Sequence, residues 1–342
     1  MSHNPLFAIS LDFELYWGMF DKVSLAEYGD NIKGAHTAIP EMLALFKKHD
    51  IHATWATVGM LMSTNKEGLI QHLPSKELQP HYSNMEASAY VHITTHSIKE
   101  NESTDPYHFG QSLVEEIIHA PHQELGSHTF SHYYCLDGEE NDDAVFNADC
   151  EAFTKAAEPF SQKITSIVFP RNQTTTRALH TCADYGFTAY RGTPTHFLYT
   201  GKKEREQTNP LLRILRLLDT YINISGHHTY PIRAVNSSIN NNKERYPLNN
   251  VQGSWFLRPY SYSLRLFESL KIRRIKKSMT YAAVHNEVFH LWWHPHNFGI
   301  NRKQNLQNLL SIIVHFHYLK EKYGMQSATM NEVAILANES AV

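Results

Sequence analysis

The sequence lacks several features that would mark special classes of protein. It has only three cysteines, too few and too scattered for a disulfide framework or a zinc finger, at Cys135, Cys150 and Cys182. It has no run of roughly 18 apolar residues, so no transmembrane segment is predicted. No basic segment followed by a long apolar run occurs near the N-terminus, which predicts that there is no signal peptide. Together, these absences predict a cytoplasmic location.

An excess of charge of one sign is lacking as well. The chain carries 31 Lys and Arg against 34 Asp and Glu, a net charge of −3, and has no long acidic or basic block. This balance indicates neither a nucleic-acid partner nor a disordered chain. Hydrophobic residues make up 42% of the 342 residues, which is ample for a large core. Histidine is abundant at 23 residues, so a histidine is informative only through its spacing.

Predicted strands and helices alternate along the whole chain. Apolar runs predict strands at residues 6–12, 52–58, 123–127, 164–169, 187–191, 288–293 and 325–330. Apolar residues at helical spacing predict helices at 37–49, 109–119, 142–158, 175–185, 211–218, 262–286 and 305–323. The alternation predicts an α/β fold, a distorted (β/α) barrel of about seven parallel strands. We expect a single domain over 1–342, with an elaborated insertion at about 194–250 that is basic and rich in Asn.

Two carboxylates, Asp12 and Glu14, follow the first predicted strand. In parallel barrels, functional groups lie at the carboxyl ends of the strands. Residues two apart on an extended chain point the same way, and burying two like charges is costly unless a cation or a proton shares the site. The pair therefore indicates either a metal ligand beside a general base or a capping Asp beside a solvent-facing Glu.

A histidine pair, His128 and His132, follows the third predicted strand. Ser127, Thr129 and Ser131 favour the start of a helix here. On a helix, two histidines at this spacing share one face and can bind one ion, although two surface histidines would show the same spacing by chance. Combined with a carboxylate, the pair would leave open coordination positions for water, as catalytic metal sites require.

Arg171 and Asn172 follow the fourth predicted strand, at 164–169. A functional Arg at this strand end is one interpretation, and an exposed Arg in a helix-start loop is the other. Asn172 is predicted to bind substrate at the edge of the same pocket.

The strand predicted at 288–293 is followed directly by His294. An isolated histidine here would be expected to pack on the neighbouring tryptophans, but its place at a further strand end favours catalysis. Trp293 and His296 are predicted to contact substrate. Aromatic residues and an Arg at 255–260 are compatible with a sugar-stacking surface, and somewhat more with a barrel core.

Two segments together resemble the polysaccharide deacetylase family, which is carbohydrate esterase family 4. They are His-Thr-Phe-Ser-His at 128–132 and Asp-Phe-Glu at 12–14, the second being similar to the Asp-x-Glu branch of the family. The resemblance implies that Glu14, His128 and His132 bind a divalent metal, for which Zn²⁺ is our first choice.

Catalytic roles are implied by the same resemblance. Asp12 would be the general base, Arg171 would orient it through an ion pair, and His294 would be the general acid. The implied reaction is metal-dependent hydrolysis that removes an N-acetyl or other acyl group from an amino sugar or oligosaccharide. With no export signal, the predicted substrate is a precursor in surface polysaccharide biosynthesis.

Two other functions stay open at this point. A glycoside hydrolase on a related barrel would need two carboxylates facing each other across the bond, whereas Asp12 and Glu14 come from one strand. A non-catalytic carbohydrate-binding protein would need no metal and release no product. The sequence contains no indication of the oligomeric state.

Overall fold

The computed structural model describes residues 3–137, 143–199, 209–236 and 246–340. Within these ranges, ten β-strands form one sheet and ten α-helices surround it, with short 3-10 turns between them. None of these helices is both long enough and apolar enough to cross a bilayer.

One sheet organises the described part of the chain. Its strands are β1 (Leu6–Phe13), β2 (Ala53–Thr57), β3 (Gln123–Ser127), β4 (Ser166–Ile167), β5 (Ala189–Tyr190), β6 (Tyr230–Pro231), β7 (Asn249–Asn250), β8 (Trp255–Phe256), β9 (Glu287–Trp293) and β10 (Gln326–Ala328). The order β9-β1-β2-β3-β4-β5-β7 is parallel throughout. β8 and β10 add parallel pairs to β9 and β1, and β6 pairs antiparallel with β9.

β1 is the central strand. All eight of its residues are buried, because helices or loops cover both faces of a parallel sheet and favour a largely apolar strand, here interrupted by Ser10 and Asp12. One edge of β1 pairs with β9, from Leu6 against Val288 to Leu11 against Trp293. The other edge pairs first with β10 and then with β2. The strands therefore end together, and the residues that follow them meet at one end of the sheet.

The helices connect successive strands. They are α1 (Leu25–His49), α2 (Lys66–Gln71), α3 (Ala89–Thr95), α4 (Gln111–His119), α5 (Asp143–Ala157), α6 (Thr176–Asp184), α7 (Pro210–Asp219), α8 (Glu268–His285), α9 (Arg302–Tyr323) and α10 (Met330–Glu339). α1 begins well before the predicted residue 37, because Ser24 and Glu27 form a capping box there. The added turns bury Gly29 and Asn31, which contribute almost no apolar periodicity to the sequence.

The predicted fold class is confirmed: the sheet is mostly parallel and curls into a half-barrel. The fourth and fifth predicted strands, at 164–169 and 187–191, are paired over only two residues each, as β4 and β5. The segment predicted as an insertion, 194–250, supplies α7, β6 and β7, while its parts at 200–208 and 237–245 lie outside the described residues.

Candidate active site

Glu14, His128 and His132 meet at the carboxyl ends of β1 and β3. One carboxylate oxygen of Glu14 lies 3.1 Å from Nε2 of His132 and 3.4 Å from Nε2 of His128. All three side chains are buried, and their ligand atoms lie within 4.8 Å of one another. The structure thus brings together the three residues that were predicted to bind a metal.

The segment that carries the two histidines is a loop, so the helix expected at 128–132 was wrong. Thr129 and His132 have φ angles of +62° and +57°, which a helix does not allow. Asp149 of α5 accepts hydrogen bonds from the backbone N–H groups of Phe130 and Ser131, at 2.8 and 3.0 Å. The carboxylate of Asp149, which is distant in sequence, thus pairs with two backbone N–H groups that would have no partner in the first turn of a helix. Burial raises the pKa of Asp149 to about 6.

The orientation of His128 is set by the backbone. Its Nδ1 lies 2.7 Å from the carbonyl oxygen of Val168, which can only accept, so Nδ1 carries the hydrogen. A neutral His128 therefore presents the lone pair of Nε2 to the carboxylate of Glu14. A proton or a metal ion between these atoms turns a repulsive contact into an attractive one. The Nδ1 atom of His132 is held 3.1 Å from the hydroxyl of Tyr134.

The donor set fits a divalent metal. Two imidazole nitrogens and one carboxylate, with the outer ring nitrogens anchored, are the usual protein contribution to a catalytic zinc site. Burial alone would raise the pKa of Glu14, but the imidazoles of His294, His128 and His132 hold it well below its ordinary value. Glu14 is therefore an anion at neutral pH, as a metal ligand must be.

Gly18 leaves the space that Glu14 occupies. A methyl group at Gly18 would overlap the carboxylate, which is the movable end of the Glu14 side chain. We expect Gly18→Ala to fold but to displace Glu14 and weaken metal binding by about tenfold or more, as when a metal ligand loses its support. Isothermal titration with zinc measures this. Gly68→Ala is the control, because a methyl there meets only an ordinary contact at 3.5 Å. Unchanged zinc affinity in Gly18→Ala would contradict the proposed ligand.

Asp12 is paired with Arg191 and not with the predicted Arg171. The guanidinium of Arg191, which is 1% exposed, donates to both carboxylate oxygens of Asp12, at 2.6 and 2.7 Å. It also donates to Ser10 and to Asn172. Burial would raise the pKa of Asp12, but Arg191 in particular lowers it overall. Arg191 directly follows β5, so the strand-end criterion that selected the other residues could have found it.

Arg171 points elsewhere because of its backbone. It lies in a 3-10 turn after β4, with a φ of +55°. Its guanidinium contacts Asp21 at 2.6 Å and Asp137 at 3.1 Å, and stacks on the ring of Tyr134. Arg171 therefore supports the outer face of the site, next to the residue that anchors His132.

His294 is the most accessible of the predicted catalytic and metal-binding residues near the two carboxylates. Its side chain is 24% exposed, and its Nε2 lies 3.7 Å from an oxygen of Asp12 and 3.7 Å from one of Glu14. His296 is buried, with its Nδ1 3.9 Å from Glu14 and its ring stacked on that of His294. Burial, followed by the proximity of His294, lowers the pKa of His296 to about 3.

Trp293 does not reach the site, contrary to the prediction that it binds substrate. It is fully buried in the core and stacks on Phe298 at 5.7 Å. Alternate residues of a strand point to opposite faces, so the site side of β9 carries His290 and Trp292 instead. Neither residue was predicted from the sequence. Nε2 of His290 is 2.8 Å from the hydroxyl of Ser10, and the ring of Trp292 lies 4.2 Å below the guanidinium of Arg191.

A cavity of about 260 Å³ opens beside these residues. Asn172 and Trp292 form its inner wall, and both contact Arg191. Phe256 lines it as well, with its ring 5.6 Å from that of His294. In the segment 255–260, then, Trp255 is in the core while Phe256 faces the cavity.

A sequence model of the polysaccharide deacetylase family matches residues 19–190, half of the chain. The chain belongs to the polysaccharide deacetylase family. This membership supports hydrolysis of an amide bond in an acylated polysaccharide. The matched segment contains His128 and His132, whereas Asp12, Glu14 and Arg191 lie outside it.

Solved structures show the same fold at low sequence identity. A protein from Mycobacterium smegmatis, named as a polysaccharide deacetylase, has 10% identity and a TM-score of 0.60, covering 100% of this chain and 93% of that one. A 4-α-glucanotransferase from Thermococcus litoralis has 9% identity and a TM-score of 0.52, covering 97% of this chain but 40% of that one. No curated protein matched the sequence. At these identities, the two structures establish the fold alone.

Proposed function

We propose that this polysaccharide deacetylase family member is a metal-dependent hydrolase that removes the N-acetyl group from an amino sugar. The observation that carries the proposal is the contact of one buried Glu14 oxygen with the Nε2 atoms of His128 and His132. Two oriented imidazoles beside one buried carboxylate form a donor set that suits a divalent cation. A bound Zn²⁺ ion would polarise the acetyl carbonyl and make a water molecule more acidic.

Asp12 is the proposed general base. Both of its oxygens are held by Arg191, so Glu14 and not Asp12 is left to be the metal carboxylate. This division of roles agrees with the Asp-x-Glu branch of the family. Because Arg191 keeps Asp12 ionised in a buried site, Asp12 is ready to accept a proton from water at neutral pH.

His294 is the proposed general acid. It is close to both carboxylates and borders the cavity through Phe256, so it can meet a leaving nitrogen that enters from solvent. We expect His294→Gln to keep its bound metal and to lower kcat by about 10²–10⁴-fold, the usual cost of losing proton transfer. Steady-state kinetics and metal analysis of one sample test this. A variant with full kcat would assign the proton to another group.

The geometry supports this function over the two alternatives. Asp12 and Glu14 are two residues apart in the chain and both lie 3.7 Å from Nε2 of His294, whereas glycosidase carboxylates face each other across the bond. A non-catalytic binding protein would not need a buried Asp12–Arg191 ion pair next to a set of side chains suited to bind a metal. The wider proposal is a single catalytic domain over 1–342 that acts in the cytoplasm on a precursor of a surface polysaccharide.

Metal content and acetate release test the function directly. We expect about one zinc ion per chain, acetate release from N-acetylglucosamine oligomers, loss of this activity after chelation, and its return when zinc is added back. If the protein binds no zinc even when zinc is supplied, the metal site is wrong. If it releases reducing sugar without metal, the protein is a glycosidase.

A further inference from the structure

The cavity beside the site contains three arginines. Arg171, Arg216 and Arg258 all line it, opposite the aromatic rings of Tyr199 and Phe256. The positive charge of Arg171 is balanced by Asp21 and Asp137. Arg216 and Arg258 are the other charged residues among the described residues that line the cavity.

Arg216 and Arg258 are anchored without being neutralised. Nε of Arg216 donates to the carbonyl of Leu198 at 2.6 Å, and Nε of Arg258 donates to the hydroxyl of Thr220 at 3.0 Å. Among the residues that the structure describes, neither guanidinium has a carboxylate partner. Their terminal nitrogens are therefore held in place and remain available to form a fork with an oxyanion.

The carboxylate of Asp219, on the same helix as Arg216, is engaged elsewhere. Asp219 is buried and accepts hydrogen bonds from the hydroxyl of Tyr199 at 2.6 Å and from the backbone N–H of Ile224 at 2.9 Å. It also lies 3.8 Å from Arg274. We therefore do not count Asp219 as a counter-ion of Arg216 or Arg258.

The electrostatics of Arg258 agree with an unbalanced positive wall. Burial has the largest effect on the pKa of Arg258 and lowers it; Tyr199 and Tyr221 oppose this effect, and the nearby charges of Arg216 and Arg213 add smaller lowering effects. Like charges held together in a partly buried place cost free energy that a bound anion would recover.

The cavity lies beside the proposed reaction centre, and two of its lining residues contact residues of that centre. Its inner wall residue Asn172 accepts a hydrogen bond from Arg191 at 3.1 Å, and Phe256 contacts the ring of His294. Aromatic faces at Phe256 and Trp292 suit the apolar face of a sugar ring. A sugar placed there would present its acetyl group to the carboxylates and its far end to Arg216 and Arg258.

We propose that Arg216 and Arg258 form a subsite for an acidic group of the substrate, a carboxylate or a phosphate. This inference rests on the proposed function and narrows its substrate to acidic or phosphorylated amino sugars. Two anchored guanidiniums match the planar, bidentate geometry of either oxyanion.

The test compares three probes that share one acetylated amino sugar: N-acetylglucosamine, its anomeric phosphate, and its lactyl ether, which carries a carboxylate. We expect the wild type to bind at least one acidic probe about tenfold to a hundredfold more tightly than the neutral sugar, by calorimetry at low salt. The more strongly bound acidic probe identifies the group. The double variant Arg216→Gln/Arg258→Gln should lose the preference.

Arg233→Gln is the control for the loss of a positive charge, because Arg233 is exposed on a short 3-10 turn and does not line the cavity. It should keep the preference. Equal wild-type affinity for all three probes, or a preference that survives in the double variant, would overturn the subsite. Acetate release from all three probes is measured in parallel. A preference for the acidic probes without acetate release would contradict the proposed function alone. Acetate release without such a preference would contradict the subsite alone.

Discussion

Arg191→Met is expected to lower the free energy of unfolding by about 3–5 kcal/mol, the cost of leaving one partner of a buried ion pair alone. Asp12 and Arg191 are 3% and 1% exposed, so water cannot replace the lost guanidinium. Deacetylase activity should fall with it, because burial without Arg191 raises the pKa of Asp12 and removes the base. Urea denaturation and acetate release measure the two effects.

The pH dependence of this variant gives a further check. In the wild type, the folded pKa of Asp12 is lowered, so its contribution to stability is present above the unfolded value near 3.8 and is lost in stronger acid. In Arg191→Met, the folded pKa is raised, so ionised Asp12 destabilises the fold at neutral pH. The stability difference between the two proteins should therefore shrink as the pH falls toward 3.8.

Two controls separate Arg191 from its predicted counterpart. Arg191→Lys keeps the positive charge but cannot donate to both oxygens of Asp12 in the same planar geometry. Its free energy of unfolding should therefore lie between those of the wild type and Arg191→Met. Arg171→Met breaks contacts to Asp21 and Asp137 and leaves the Asp12 pair intact. If Arg171→Met shifted the acidic side of the pH–activity profile and Arg191→Met did not, Arg171 and not Arg191 would be the partner of Asp12.

Glu14→Gln should lose zinc affinity by well over ~100-fold, since even an outer-shell partner costs ~10–100-fold. Glutamine keeps the shape of the side chain but supplies a neutral oxygen to His128 and His132. Acetate release should disappear with the metal. Competition with a fluorescent chelator measures affinity, and the zinc-dependent rise of Tm measures binding independently.

Glu77→Gln is the control for the removal of one negative charge, because Glu77 is exposed on a short 3-10 turn that is distant from Glu14 in the sequence. His128→Ala and His132→Ala should each match the loss seen in Glu14→Gln. If the Glu14 variant kept wild-type zinc affinity while a histidine variant lost it, Asp12 would become the carboxylate ligand.

Much of the site was predictable because parallel strands end together. The strand-end criterion selected Asp12 and Glu14 at the end of β1, His128 and His132 after β3, and His294 after β9. The structure places all five within one small region. Knowing where each strand stops was enough to place these side chains, since the sheet itself sets the distance between neighbouring strand ends.

The errors arose where local geometry decides the direction of a side chain. A positive φ turns Arg171 toward Asp21 and Asp137, and no feature of the sequence shows that angle. At the end of β9, choosing Trp293 instead of Trp292 was an error of one residue, which reverses the face. The helix expected at 128–132 was prevented by a contact from α5 that only the folded chain provides.

The central position of β1 has a consequence for synthesis on the ribosome. β1 is made before β9, yet contacts such as that between Ser10 and His290 join positions 280 residues apart. At ~5–20 residues per second, β1 waits on the order of tens of seconds for β9. During that interval a largely apolar strand has an unpaired edge, a state that favours aggregation and chaperone binding. The newly made chain thus completes its sheet, and with it the position of His294, only after β9 has been synthesised.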